Sequence, residues 1–366
     1  MWNDTAITRR LGIQYPIVQG PFGGGLSSAR LVAAVSNAGG LGSFGAQGMT
    51  PKRISEVVAE IRDLTASPFA VNLWVSTEDI GANGTTRGAY DAALVPLAPF
   101  FSELGVQPPA FPLHDWARFD AQVAALLDAR PPVFSLVFGV PPAHVIDECR
   151  RRSIITIGTA TTVDEAVALE SSGVDVVVAS GSEAGGHRPS FLRSPEKSLT
   201  GLFSLLPQVC DAVDIPVMAA GGIADGRGVA AALALGADGV QIGTAFLACE
   251  ESNAPPAHRE ALFGPRAAHT VLTRAFSGRL ARGLRNTLAD ALENRSVSLL
   301  PYPLQSQLVG ALREQATRTG RIDLIALWSG QSAPLLRHRQ AKELFQDLVN
   351  VTERMLNRHA QGTHGE

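Results

Sequence analysis

Short runs of apolar residues recur along this chain without polar alternation. Each closes in a glycine-bearing or polar turn and is followed by residues at helical spacing. Continuous runs of this length suit strands buried on both faces, as in a parallel sheet covered by helices. PIVQ (16–19) predicts a first strand, with a helix over 29–37 ended by Gly39 and Gly40. LGSF (41–44) predicts a second. Its helix, 51–64, opens on a proline, whose missing N–H costs nothing in a first turn. PFAVNLWV (68–75) is the third, followed by a long insertion, about 76–130, with helical patterns at 89–104 and 116–127.

PVFSLVFG (132–139) predicts a fourth strand with a helix over 142–151. IITIGT (154–159) predicts a fifth, with a helix over 162–172 whose Thr162 and Glu165 are spaced as a capping box. VDVVVAS (174–180) is the sixth, followed by a glycine-rich loop and a helix over 199–212. IPVMAAGG (215–222) is the seventh, with a helix over 226–235, and GVQIGTAF (239–246) is the eighth.

Eight strand–helix units are the number that closes a barrel. An open doubly wound sheet is the alternative, but no GxGxxG follows the first strand in the right setting. The predicted fold class is therefore α/β: a (β/α)8 TIM barrel with an insertion after strand 3 and a C-terminal helical subdomain. Residues 1–250 form the barrel. Residues 251–358, with helical patterns at 304–319 and 342–355, form an extension or cap packed on it, and 359–366 a disordered tail.

Composition narrows the function classes. The chain has 366 residues, 45% hydrophobic and 18% charged, with net charge −3. That near-neutral balance argues against nucleic acid or an anionic membrane as partner. The Arg150–Arg151–Arg152 cluster reads as a solvated helix end. Three scattered cysteines, Cys149, Cys210 and Cys249, form neither a disulfide framework nor a zinc motif, and no metal is expected. No apolar stretch approaches the roughly 20 residues that span a bilayer, and no signal-peptide core opens the chain. The expectation is a cytoplasmic enzyme acting on a small molecule, with a homodimer possible.

Candidate chemistry sits at the strand ends, where parallel barrels place their active sites. AAGGIADGRG (219–228) and QIGTAF (241–246) follow strands seven and eight, the pair of loops that commonly holds a phosphate. Gly221, Gly222 and Gly243 let the backbone approach an anion, with Thr244 adding a hydroxyl and Gln241 beside them. The bland alternative is that these glycines merely turn the chain. At the other side of the mouth, Gln19, Gly20 and Asn72 suit the edge of a planar cofactor, though Asn72 alone also fits a satisfied buried amide bridging strand ends.

SGSEAGGH (180–187) leaves the sixth strand. Ser180 is a candidate donor to a ring edge, Gly185 and Gly186 allow close backbone approach, and His187 is a candidate acid or base near neutral pH. His114, His144, His258, His269 and His338 read as bland loop or helix-surface residues. For Glu183 three roles stay open: partner of His187, helix-cap ion, or solvated loop charge.

PIVQGPFGGG…NAGGLGSFGA, VNLW, GSEAGGH, PVMAAGGIADGRG…LGADGVQIGTAFL and TRAFSGRLARGLRN together resemble the nitronate monooxygenase family, also called 2-nitropropane dioxygenases. FMN-dependent enoyl-ACP reductases and an NADH:quinone reductase group share the superfamily. The resemblance spans about residues 13–286. It implies an FMN phosphate at Gly222, Gly243 and Thr244 with help from Gly221 and Gln241. It implies an isoalloxazine ring against Gln19, Gly20, Asn72, Ser180, Gly185 and Gly186, and His187 as catalytic base or nitronate-positioning group. The implied reaction is oxidation of an alkyl nitronate with O2 to a carbonyl compound and nitrite. The chain departs from the family's tyrosine- and lysine-bearing C-terminal motif, carrying LPYPLQSQ (300–307) and LWSGQSAPLLR (327–337) instead. Two other readings stand beside it: an FMN-dependent NAD(P)H reductase of an enoyl thioester or quinone, and a non-redox barrel that binds a phosphate ligand.

Overall fold

The eight apolar runs pair as parallel strands in a computed structural model that describes residues 1–75, 84–113, 118–293 and 298–361, with side chains to residue 357. The strands in chain order are β1 (Ile17–Gln19), β2 (Gly42–Gly45), β3 (Phe69–Trp74), β4 (Val133–Val137), β5 (Ile155–Ala160), β6 (Val176–Ser180), the short β7 (Gly186–His187), β8 (Val217–Ala220), β9 (Gly239–Ile242), β10 (Thr270–Thr273) and β11 (Ala281–Leu284). One sheet runs β1-β9-β8-β6-β5-β4-β3-β2. A parallel bridge from Val18 to Leu41 and the bond from Gln19 N–H to Leu41 O (2.9 Å) join its two edges. The result is a (β/α)8 barrel, as the periodicity predicts.

Side chains that point inward fill one end of the barrel. Val18, Leu41, Ala70, Val133, Ile157, Val176, Val178 and Met218 form one cluster with Ile7 and Leu11 of the helix Ala6–Leu11. That helix plugs the N-terminal end, so the opposite mouth is the open one. Gly42 shows how tightly the wall is built: a Cβ there would sit 2.1 Å from Val32 O of the helix Ala29–Asn37.

The C-terminal part divides in two. Residues up to about 336 pack over the mouth through a cluster including Leu247, Phe276, Leu284, Leu308 and Leu327. The helix Ala341–Gln361 instead returns to the barrel wall. Its Leu344, Phe345, Leu348 and Val349 join the outer core, and it lies against the helices Ala29–Asn37 and Gly226–Ala234. It stands where the eighth barrel helix belongs, so the mouth-covering part is inserted between the eighth strand and the eighth helix.

Several local expectations change. The eighth strand ends at Ile242 rather than 246, because the chain turns at Gly243 into the short helix Thr244–Leu247. The pattern at 89–104 resolves into helices Arg87–Leu94 and Ala98–Leu104 joined by a 3-10 turn at Val95–Leu97. That at 116–127 becomes Phe119–Ala129. Of the tail expected at 359–366, residues 359–361 continue the helix Ala341–Gln361, while 362–366 lie outside the described residues, as do residues 76–83 and 114–117 of the insertion, His114 included. Thr162 caps its helix, but the Glu165 carboxylate turns to Thr161 N–H (2.7 Å) instead of completing the box. Among the described residues, no helix is long and apolar enough to cross a membrane, and no cluster of three metal-ligating side chains occurs. The three cysteines are free thiols.

Candidate active site

A cavity of about 600 Å³ opens at the C-terminal ends of the strands, roofed by the extension. One side of it is bare backbone. Gly221 (φ +103°) and Gly222 (φ +71°) adopt left-handed conformations that a side chain would strain, and a Cβ on Gly243 would project into open space. Gly243, at the cavity wall, precedes the short helix Thr244–Leu247, whose start no side chain caps. Thr244 Oγ1 accepts the Gly330 N–H at 2.8 Å, leaving its own proton to donate. Backbone and hydroxyl of this kind can admit an anion.

The loop after β6 is held from three directions. Glu183 accepts the Leu202 N–H on both carboxylate oxygens at 2.9 Å, sitting at the N-terminus of the helix Leu202–Ala212. Of its three possible roles, the helix-cap ion is the one observed. Arg188, buried, donates to Ser198 O (2.6 and 2.9 Å) and Gly181 O (2.7 Å). Burial pulls its guanidinium down to about 10, still cationic at neutral pH, while Glu165 and Glu183 oppose that shift. Arg282 of β11 donates to Ser182 O at 2.9 and 3.1 Å. Arg282 pairs with Gly186 in the β-ladder and Ala281 with His187. The extension thus binds the loop as a third strand.

His187 is packed by aromatic rings: Trp74 at 4.9 Å between centroids, Trp328 at 5.2 Å, Phe138 and Tyr302 each at 6.4 Å. Its Nε2 lies 2.8 Å from Ser277 Oγ. The Arg279 guanidinium stacks 4.0 Å from the Phe138 centroid and 4.7 Å from that of Tyr302. Desolvation by this shell, then the Arg279 charge, push the imidazole pKa down to about 3. The sequence expectation of a histidine titrating near neutrality is therefore corrected: His187 is neutral throughout the physiological range. Phe138 holds φ +68°, an uncommon conformation for an aromatic residue, at the very edge of this shell.

The cavity brings together His187, Gly20, Asn72, Ser180, Gly185, Gly186, Gly221, Gly222, Gln241, Gly243 and Thr244. Gln19 is not among its lining residues: it is fully buried, bonded through its side chain to Gly20 O and Ser43 N–H. Asn72 donates to Ser135 O (3.1 Å) and Oγ (3.0 Å), bridging β3 and β4 while lining the cavity, so both readings of it apply. Gly185 is required by packing, since a Cβ would meet Gly330 N at 2.4 Å. Gly186 (φ +76°) has open space around it. His258, taken as bland, is buried and bonded to Trp328 O at 3.1 Å.

Sequence reasoning missed Trp74, Phe138, Ser277, Tyr302 and Trp328. The signal available was weak: aromatic residues at the ends of strands three and four, and a serine inside an already singled-out arginine–glycine segment.

The residues present suit FMN. The uncapped turn and Gly222–Gly243–Thr244 suit its phosphate, and Gly20, Gly186, Ser180 and Asn72 leave a flat, partly polar slot for a ring system. Comparison with known proteins places the chain among relatives. The nitronate monooxygenase family profile matches residues 4–350. A probable nitronate monooxygenase of Staphylococcus haemolyticus (strain JCSC1435) is 39% identical over 358 residues, 97% of this chain and 99% of that protein. One from Staphylococcus aureus (strain Newman) is 38% identical, with the same coverage. The crystal structure of nitroalkane oxidase from Streptomyces ansochromogenes superimposes with TM-score 0.88 at 39% identity, covering 97% and 99% of the two chains. FabK from Thermotoga maritima follows at TM-score 0.76 and 29% identity, covering 98% of each. A barrel with this mouth, matched nearly end to end, is an oxidoreductase that belongs to the nitronate monooxygenase family.

Proposed function

We propose that this enzyme uses FMN to oxidise alkyl nitronates or nitroalkanes with O2, yielding a carbonyl compound and nitrite. The observation that carries the reading is a neutral histidine in an apolar shell, facing the same cavity as a glycine-built phosphate cradle. Gly222, Gly243 and Thr244 would hold the phosphate, and Gly20, Asn72, Ser180 and Gly186 the ring. When bound, the flavin supplies the acceptor for electrons leaving the substrate carbon. His187, unprotonated, takes the Cα proton of a nitroalkane. The electron pair of the broken C–H bond then moves onto the nitro group, giving the nitronate. Trp74, Phe138 and Trp328 exclude water from that carbon.

The visible spectrum of the purified protein, followed by a nitrite assay with a nitronate in air, tests this. His187→Asn should abolish or sharply lower turnover with FMN still bound. An unchanged rate would move the chemistry elsewhere.

The FabK likeness favours one second reading, an NAD(P)H-dependent flavin reductase acting on an enoyl thioester or quinone. Rapid anaerobic bleaching of the flavin by NADH, with no turnover of nitronates, would establish it. Protein that is colourless and cannot be reconstituted with FMN would instead indicate a phosphate-ligand binding barrel.

A further inference from the structure

Ser277 is 3% exposed, lines the cavity, and sits in the turn between β10 and β11. Its hydroxyl has three neighbours: His187 Nε2 at 2.8 Å, Arg279 N–H at 3.3 Å and Arg279 O at 3.2 Å. A hydroxyl has one proton and accepts on two lone pairs. The Arg279 N–H takes one acceptor site. The Arg279 carbonyl can only accept, so it draws the hydroxyl proton. The remaining lone pair then faces His187 Nε2, which must donate.

We infer that Ser277 is a positioning residue: it holds the proton of neutral His187 on Nε2 and so leaves Nδ1 as the ring nitrogen that meets substrate. This rests on the reading of His187 as the base.

The turn is built for that task. Thr273 Oγ1 accepts Ala275 N–H at 3.1 Å, Arg274 Nη1 donates to Gly278 O at 3.0 Å, and Ser277 completes the closure through Arg279. The neighbouring β11 is itself laddered to His187 through Ala281, so backbone and hydroxyl fix the ring from two directions. Aromatic rings pack around the imidazole, and the Arg279 guanidinium, stacked on Phe138 and Tyr302, adds its positive charge from the same shell. Once Nδ1 has taken the substrate proton, Nε2–H stays on Ser277 Oγ, and the positive charge is stabilised by a bond that already exists.

The test reads the proton directly. Full-length protein labelled with 15N-histidine, with and without FMN, is examined by long-range proton–nitrogen correlation at pH 7, and His187→Asn assigns the His187 signals. The expected result is a proton on Nε2, with a mixture of both tautomers in Ser277→Ala. In turnover, Ser277→Ala should lower kcat by at least about tenfold with little change in KM, as loss of the correct tautomer does in other histidine bases. Ser277→Thr, which keeps the hydroxyl, should restore both signatures. A proton on Nδ1 in the unaltered protein would overturn the inference, as would a Ser277→Ala variant with unchanged proton placement and kcat. Absence of nitronate turnover in the unaltered protein would overturn the proposed reaction instead, and the nitrogen spectrum would still decide the role of Ser277.

Discussion

Thr244 Oγ1 accepts the Gly330 N–H at 2.8 Å, joining the turn after the eighth barrel strand to the segment that roofs the mouth. Gly330 is buried beside it: a Cβ would lie 3.0 Å from Glu183 O and 3.3 Å from Thr244 Oγ1. One side chain thus ties the cavity wall to the roof. Thr244→Val removes the acceptor and leaves a buried N–H unpaired, a loss of about 1–3 kcal/mol. The thermal midpoint should fall, and flavin should elute from a gel-filtration column ahead of any loss of secondary structure.

Gly243 separates binding from folding. Its φ is negative and a Cβ would meet nothing within 4 Å, so the side chain of Gly243→Val would extend into the cavity rather than into packed protein. Circular dichroism should be unchanged while the purified protein loses its yellow colour. Gly222→Val, at φ +71°, should lose both colour and stability.

Replacing Glu183 by Gln keeps the hydrogen-bonding shape and removes the charge at the head of the helix Leu202–Ala212. The expected cost is about 0.3–1 kcal/mol, reaching about 2 kcal/mol in a partly buried setting. Arg188 and Arg282, which balance that carboxylate, would then repel across the loop. Proteolysis or hydrogen exchange should report a looser segment at 181–188, with KM raised more than kcat is lowered.

His258, buried, and His187, half-buried among aromatic rings, set an acid limit to stability. Burial pushes His187 down to about 3 and His258 to about 4, both below the ordinary imidazole value of 6.5. Below 6.5 the unfolded chain binds protons that the folded chain refuses, so unfolding is favoured as pH falls. The contribution is intact above pH 6.5 and is lost progressively toward pH 3 to 4. Thermal midpoints measured from pH 7 to pH 4 should drop, and His258→Gln should flatten the curve.

The strands were legible because β6 and its neighbours are buried on both faces and read as unbroken apolar runs. The glycine loops were legible because φ-positive backbone leaves its mark in residue type. The end of the eighth strand was not, since Gly243-Thr244-Ala245-Phe246 is as apolar as the strand and only the turn at Gly243 separates them. Gln19 shows the complementary failure. A polar residue at a strand end reads as a ligand contact, whereas tertiary packing gives its amide to Gly20 and Ser43. Ser277, Tyr302 and Trp328 meet His187 from 90 residues or more along the chain. Such long-range meetings leave no periodic trace.

The pairing of β11 with Gly186 and His187 also governs the order of assembly. A ribosome would have released all eight barrel strands before β11 exists, and the loop would spend that interval without its outer strand. Chain cut after the eighth strand would lack both the partner of His187 and the helix that closes the ring. His187 is therefore seated from both sides only after the C-terminal segments have been made.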